Sequence, residues 1–340
     1  MNYSKKERLH YIDIAKGIAI ICIILGHLGI SKINRIVFTF HVPVFFFITG
    51  FFTNKKRTLA DFIKTKFRNL IVPYIVTCLV MITIGTLEGF LRGEASKSFI
   101  KWSYASLYGA GDSYSKPFYI PAIGAIWFLW ASFWGGIFLR ISLEFNKYVR
   151  ISFLAALFIF GYYSRVLCWF PLSIQAGACA AFFMYIGWLI KDISKIISRL
   201  SSEQKCFGIL FAVVIWISFI IDFKSFWLVH CDVGRGAIDI FGCICASMII
   251  VLISRFIDGK MLRIGDFLGY FGRHSLLVLC VHIVELNLFP WWEITGLLIQ
   301  KGMPGLFQLP LIIILKIAVD LSCVYVISKN SFVRFLFGYS

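Results

Sequence analysis

The stretch IDIAKGIAIICIILGHLGI, residues 12–30, has the length and apolar content of a helix that crosses a membrane. It also contains three ionisable side chains, those of Asp13, Lys16 and His27. Ionisable residues inside membrane helices are costly and usually face a pathway or a site. Lys16 and His27 are eleven positions apart, which on an α-helix is within about 20° of three full turns and a rise of roughly 16.5 Å. The spacing predicts that both side chains lie on one stripe, with Asp13 close enough to pair with Lys16.

The remainder of the 340-residue chain has the same character, because 59% of its residues are hydrophobic and only 15% are charged. Apolar runs of about 20 residues recur along it without two-residue alternation, which favours helices over a barrel. The sequence therefore predicts an all-α polytopic membrane protein with about ten transmembrane helices and no soluble domain. The predicted spans are 11–30, 36–53, 70–90, 123–143, 150–166, 172–190, 206–222, 236–254, 273–290 and 308–328.

The distribution of positive charge predicts the orientation of these helices. If the N-terminus is cytoplasmic, 22 of the 34 Lys and Arg residues lie in inside segments, including Lys5, Lys6 and Arg8, and 10 lie in outside segments. This excess predicts that both termini are cytoplasmic. The net charge of +17 then reflects topology and contact with a bilayer that contains anionic lipid. A nucleic-acid partner is excluded, because its recognition needs a basic soluble surface.

The second predicted span, FTFHVPVFFFITGFF at residues 38–52, carries His41. A short link joins it to the first span, so the two helices are expected to run antiparallel, with His27 and His41 at similar depth. The purely structural alternatives are that Lys16 extends to the lipid headgroups and that His41 bonds backbone freed by Pro43.

Further ionisable residues lie near the predicted inner ends of other spans or within them. Basic residues at the inner ends follow the positive-inside rule, and they also suit a phosphorylated ligand. His282 and Glu285 are three positions apart and form a candidate proton-sharing pair, whereas Lys316 and Asp320 are expected to neutralise each other. The six His residues lack metal-site spacing and the ten Cys form no CxxC pair, so no metal is expected.

Five blocks of the sequence, in this order, resemble the integral-membrane acyltransferases of family three, in the branch related to fucose 4-O-acetylases. They are YIDIAKGIAIICIILGH, FTFHVPVFFFITGFF, KFRNLIVPY, IWFLWASF and FGRHSLLVLCVH. The resemblance implies a ten-helix core that transfers an acyl group, commonly acetyl from acetyl-CoA, to hydroxyls of cell-surface carbohydrates. The family's hallmark is a basic residue, ten intervening positions and a His. Lys16 and His27 match it, although many members have Arg in the position of Lys16.

The resemblance also suggests roles for residues. His27 would be a general base or an acyl carrier in a channel lined by Asp13 and Lys16, with His41 as a further catalytic candidate. The expected donor-binding residues are Lys66, Arg68 and Arg273, and the expected secondary site comprises His282, Glu285 and Trp127. We expect one acyltransferase domain over 1–340 in the cell (inner or plasma) membrane, whose longest extracytoplasmic loop is 91–122. Its expected partners are acetyl-CoA and a carbohydrate acceptor, without a metal.

A proton-coupled secondary transporter is the alternative from another functional class, because buried His, Asp, Glu and Lys also suit proton coupling. Such transporters are typically built from related halves with paired interrupted helices. Pro43 and Pro73 lie in the second and third spans and have no counterpart in the second half. A non-catalytic scaffold does not account for the stripe that contains Lys16 and His27.

Overall fold

A computed structural model describes residues 9–337, except for the side chains of 192–198. Lys5, Lys6 and Arg8 of the charge count lie outside the described residues. Between residues 9 and 337 the chain forms helices and turns without a named strand. The α-helices are α1 His10–Gly26, α2 Ser31–Val37, α3 His41–Phe52, α4 Leu59–Lys66, α5 Val72–Leu91, α6 Ala95–Tyr108, α7 Trp127–Ser142, α8 Lys147–Leu167, α9 Ile174–Ser198, α10 Ser202–Ile221, α11 Ala237–Lys260, α12 Leu262–Arg273, α13 Ser275–Leu288, α14 Trp291–Gln300, α15 Gly305–Ser328 and α16 Ser331–Leu336.

Seven segments of the described chain are long and apolar enough to cross a membrane, and an eighth is added if α12 and α13 count as one span broken at His274. The all-α polytopic membrane fold is therefore confirmed. Two of the ten predicted spans correspond to α1 and α7, which have only 17 and 16 residues. Their lengths of roughly 25 Å are slightly below the thickness of a bilayer core. The number of ten spans stays a prediction.

The segment 91–122, predicted as the longest loop, contains the 14-residue helix α6. This helix packs against α5, where glycines leave room for its side chains: Gly85 lies against the Trp102 ring and Gly89 against Ser98. Trp102 is buried, and α6 ends at Gly109, whose φ of 69° is the left-handed conformation common at helix C-termini. Half of the predicted loop is thus a packed helix, because its apolar face is buried against α5.

The described chain forms two compact units, of which the first comprises residues 9–45, 200–224 and 235–275. Here α1 packs against α11 and, at backbone distance, against α12, since a Cβ on Gly17 would overlap the Leu268 carbonyl and one on Gly272 would overlap the Asp13 carbonyl. The His10 imidazole, 2.6 Å from an Asp258 carboxylate oxygen, joins the start of α1 to the end of α11. These contacts fix the position of α1 within the unit.

The second unit comprises residues 46–199, 225–234 and 276–337. Its helices α3 and α9 also approach closely, because Gly50 lies against the Met184 carbonyl and Gly187 against the Phe47 carbonyl. Two sets of contacts join distant segments of this unit. In one, Lys191 Nζ donates to the Thr53 carbonyl at 2.6 Å. In the other, the hydroxyls of Tyr108 and Tyr114 donate to the carbonyls of Trp169 and Val229 at 2.6 and 2.9 Å.

The second of these sets of contacts joins three segments that are predicted to lie on the same side of the membrane, while the orientation itself stays a prediction. Reporter domains fused after Lys205 and after Gly111 are expected to report the cytoplasm and the exterior, respectively. Enzymatic reporters that are active on only one side of the membrane provide the measurement. Fusions that report the same side would refute the orientation.

Candidate functional site

The first unit contains the motif that begins with Asp13. Asp13 lies in the first turn of α1 and is buried, Lys16 is half-buried, and His27 is exposed at the end of the helix. The helix is shorter than the predicted span, because it ends at Gly26 and Gly29 adopts a φ of 71°. The backbone N–H of His27 still donates to the Ile23 and Ile24 carbonyls, each at 3.3 Å. His27 therefore stays close to the helical register, about 16 Å along α1 from Lys16.

Hydrogen bonding determines which ring nitrogen of His27 carries the proton. Nδ1 lies 2.8 Å from the Ile23 carbonyl oxygen. A carbonyl oxygen only accepts hydrogen bonds, so Nδ1 must be the donor. In the neutral ring, Nε2 then has the lone pair. This is the tautomer that a general base or nucleophile requires.

His41, at the start of α3, makes the same type of bond, since its Nδ1 lies 2.7 Å from the Val37 carbonyl oxygen. Pro43 lies in the first turn of α3, where a missing N–H is tolerated. The Phe38 ring lies against Gly26, next to His27, and its centroid is 4.9 Å from that of His41. The Phe38 ring thus contacts the His41 imidazole and packs against the residue that precedes His27.

The donor candidates fall into both units. Exposed Arg273 ends α12 directly after Gly272, and a Cβ on Gly272 would be 2.9 Å from the Gly17 nitrogen. The structure therefore brings Arg273 to the part of α1 that contains Lys16. In the second unit, half-buried Lys66 lies over the Phe62 ring at 5.6 Å and exposed Arg68 lies over Phe335 at 4.9 Å.

Four ionisable side chains meet between α13 and α15 in the second unit. His282 Nδ1 lies 3.0 Å from Glu285 Oε2 and 3.2 Å from Asp320 Oδ2. Lys316 Nζ donates to Glu285 Oε1 at 2.8 Å. The predicted Lys316–Asp320 pair is wrong, because Lys316 reaches across to the other helix and Asp320 faces His282. Trp127, the third residue of the predicted secondary site, is buried at the start of α7 against Gly111.

Comparison with known proteins identifies the family. A family model described as an acyltransferase domain matches residues 9–328. The chain belongs to this family of acyltransferases. It is also similar to the nodulation protein NolL of Mesorhizobium japonicum, with 23% identity over 150 residues that cover 40% of this chain and 36% of NolL. No solved structure matches.

The acyltransferase family match runs through both compact units and thus contains every candidate residue named above. The chain therefore combines an acyltransferase domain with several helices that are long and apolar enough to cross a membrane. The family match favours the acyltransferase over the proton-coupled transporter, which the buried ionisable residues alone would also fit. The match assigns no role to individual side chains.

Several ionisable groupings of the described chain were missed in the sequence, among them one at the end of α7 and one between two loops of the second unit. Buried Arg140, at the end of α7, pairs with Glu144 and donates to the Arg57 carbonyl at 3.0 Å. The hydrogen bond from Arg140 holds the pKa of Glu144 below its usual value. The i,i+4 spacing of Arg140 and Glu144 is the only sequence signal for this pair.

The second of these missed groupings joins two loops of the second unit. His230 Nε2 lies 3.1 Å from an Asp112 carboxylate oxygen, and this hydrogen bond lowers the pKa of Asp112. Beside them the Tyr114 ring stacks on Trp169 with 4.2 Å between centroids. Since Asp112 and His230 are far apart in the sequence, no spacing rule could have joined them.

Proposed function

We propose that this acyltransferase moves an acyl group, acetyl in the first instance, from cytoplasmic acyl-CoA to a hydroxyl of a cell-surface carbohydrate at the cell (inner or plasma) membrane. One observation carries the proposal: α1 holds Lys16 beside the end of α12 that carries Arg273, and it holds His27 about 16 Å away with Nδ1 bonded to the Ile23 carbonyl, so that the lone pair of the neutral ring is on Nε2. This arrangement separates a cationic end from a basic nitrogen along one rigid helix.

The cationic end suits the phosphates of the donor. Arg273 offers bidentate contacts to phosphate oxygens and Lys16 offers a compact charge. Lys16 and His27 are not expected to contact the same reacting atoms, because they are about 16 Å apart along α1 and helical side chains tilt toward the N-terminus, so that Lys16 is directed away from His27. We therefore assign Lys16 to the phosphate-bearing half of the donor rather than to the thioester oxyanion.

His27 performs the chemistry in this proposal. In direct transfer, Nε2 takes the proton of the acceptor hydroxyl while its oxygen attacks the thioester carbonyl, and the C–S bond breaks to release CoA thiolate. In a two-step variant, Nε2 attacks the thioester carbonyl and the C–S bond breaks to release CoA thiolate; the acceptor hydroxyl then attacks the acyl group on His27, the C–N bond breaks, and Nε2 takes up the hydroxyl proton. The bond from Nδ1 to the Ile23 carbonyl supports either step, because it orients the ring and disperses positive charge.

Donor binding provides a test of the cationic residues. Arg273→Ala and Arg68→Ala are each expected to weaken acetyl-CoA binding about 10- to 100-fold, the range expected for one lost charge-assisted hydrogen bond. Lys97→Ala is the matched control, because Lys97 is exposed, pairs with Glu94 at 2.9 Å and belongs to a segment predicted outside. Calorimetry with the detergent-purified protein measures the affinities. Unchanged affinity in both Arg variants would leave these residues with a role in topology only.

The function itself is tested by mass spectrometry of surface glycans from cells with and without the protein. The proposal predicts a mass increase of one acetyl group on a carbohydrate only when the wild-type protein is present. Glycans of identical mass, with the protein shown to be folded in the membrane, would contradict it.

A further inference from the structure

The residues of the buried cluster between α13 and α15 have no role in the proposed transfer reaction. His282 and Glu285 come from adjacent turns of α13, and Asp320 comes from α15. Their exposed fractions are 0%, 5% and 0%. One nitrogen and carboxylate oxygens from two residues face one another, and a ligand atom from each residue lies within 4.8 Å of the others.

Hydrogen bonds within the cluster leave three of its four carboxylate oxygens without a donor of good geometry. His282 Nδ1 faces oxygens of both Glu285 and Asp320, at 3.0 and 3.2 Å, yet it carries at most one proton. Within residues 9–337, neither Glu285 Oε2 nor either oxygen of Asp320 accepts a hydrogen bond of good geometry. Buried carboxylate oxygens without donors are costly, and a positive group between the three side chains would remove that cost.

We propose that His282, Glu285 and Asp320 bind a first-row divalent metal ion, with Zn²⁺ as the reference. The separations of 3.0 and 3.2 Å are close to the edge of about 3.3 Å expected for a tetrahedron with bonds of about 2.0–2.1 Å. An imidazole with two carboxylates is a ligand set that Zn²⁺ and its neighbours in the series accept. The ion's two positive charges cancel the charges of the two carboxylates.

Lys316 supports the site from outside this ligand set. Its Nζ binds Glu285 Oε1, the oxygen that does not face His282, and thereby orients Oε2 toward the ion. The Lys316 ammonium lies 4.3 Å from the centroid of the Trp291 ring, which stabilises its charge by a cation–π contact. The arrangement resembles the outer-shell partners that normally hold metal ligands in place.

The competing arrangement has no metal. A protonated His282 together with Lys316 would balance the charges of Glu285 and Asp320, and the four residues would form a closed ionic cluster. The two arrangements differ in the role of Lys316. With a metal bound, Lys316 is an outer partner of the site; without a metal, it supplies half of the positive charge of the ionic cluster. They also differ in their response to chelators.

The site does not depend on the proposed acyl transfer, because its ligands lie outside the stripe of Lys16 and His27. Three protein ligands leave a coordination position for water or another small molecule. The ion would connect α13 to α15 and stabilise the second unit. Its removal is therefore expected to lower the stability of the protein, whatever the acyl acceptor is.

The test uses the full-length protein in detergent, equilibrated with Zn²⁺ and then freed of unbound metal. Elemental mass spectrometry is expected to find about one equivalent of Zn²⁺ in the wild type and about one tenth or less in Asp320→Asn and His282→Gln. Lys316→Gln is the matched control, because it removes an outer partner and no ligand, and it is expected to retain more metal than either ligand variant. A wild type that binds no metal, or an Asp320→Asn variant that binds as much as the wild type, overturns the proposal.

A second measurement covers the case in which these variants do not fold. The unfolding temperature of the wild type is expected to fall on treatment with EDTA and to recover on addition of Zn²⁺, because a ligand that binds only the folded state stabilises it. An unfolding temperature that neither EDTA nor Zn²⁺ changes overturns the metal site and favours the protonated ionic cluster.

Discussion

Replacement of His27 by alanine is expected to lower the rate of acyl transfer by at least the 10²–10⁴-fold that is typical of general acid–base catalysis. The variant loses the Nε2 lone pair, which the bond from Nδ1 to the Ile23 carbonyl assigns to that nitrogen in the neutral ring. Acetyl-CoA binding is expected to survive, because the cationic end of α1 lies roughly 16 Å away. Single-turnover transfer and donor affinity, measured on the same preparation, separate these two effects.

Two control variants distinguish chemistry from folding in this experiment. His274→Ala removes a bond of the same type, from Nδ1 to the Tyr270 carbonyl at 3.0 Å, and is expected to change stability by a similar amount while it retains transfer. Lys16→Arg keeps the positive charge and is expected to remain active. If His27→Ala transfers at the wild-type rate, His27 is not the reacting group, and His41 becomes the next candidate.

Replacement of Gly272 by alanine is expected to produce the largest loss of stability. A Cβ at this position would overlap the Asp13 carbonyl, a backbone atom that moves only if α1 and α12 separate. Such overpacking typically costs about 1–3 kcal/mol and occasionally more. Transfer is expected to fall as well, because the same contact brings Arg273 to the part of α1 that contains Lys16.

Gly259→Ala is the matched control in the same unit. Gly259 lies in α11 with no atom within 4 Å of an added Cβ, so alanine is expected to be neutral or stabilising by up to about 1 kcal/mol. Thermal unfolding of the purified variants, followed by tryptophan fluorescence, provides the comparison. If Gly272→Ala and Gly259→Ala unfold at the same temperature, the close contact of α1 and α12 is wrong.

Local patterns were sufficient to predict the membrane fold and α1, because long apolar runs and helical spacing are properties of contiguous sequence. Helix α6 was missed, although Trp102 and Ser106 have the spacing of one helical face and are both buried. Its polar residues, such as Ser96 and Lys97, made the segment resemble a loop. Amphipathic helices of this kind are easily overlooked next to strongly apolar spans.

Partners from distant parts of the chain could not be predicted. Lys316 was assigned to Asp320 because they are four positions apart, but it binds Glu285 on another helix at 2.8 Å. Which of two carboxylates a lysine binds depends on how the helices pack, and spacing carries no information about packing. The same limit applies to the approach of Arg273 to α1, which depends on Gly17 and Gly272.

The most direct test of the account is transfer of labelled acetyl from acetyl-CoA to a deacetylated surface carbohydrate by the purified protein. The account predicts label in the carbohydrate and one free CoA thiol per group transferred with the wild type, and neither product above background with His27→Ala. It is contradicted if folded wild type that binds acetyl-CoA leaves the carbohydrate unlabelled, or if His27→Ala labels it as fast as the wild type.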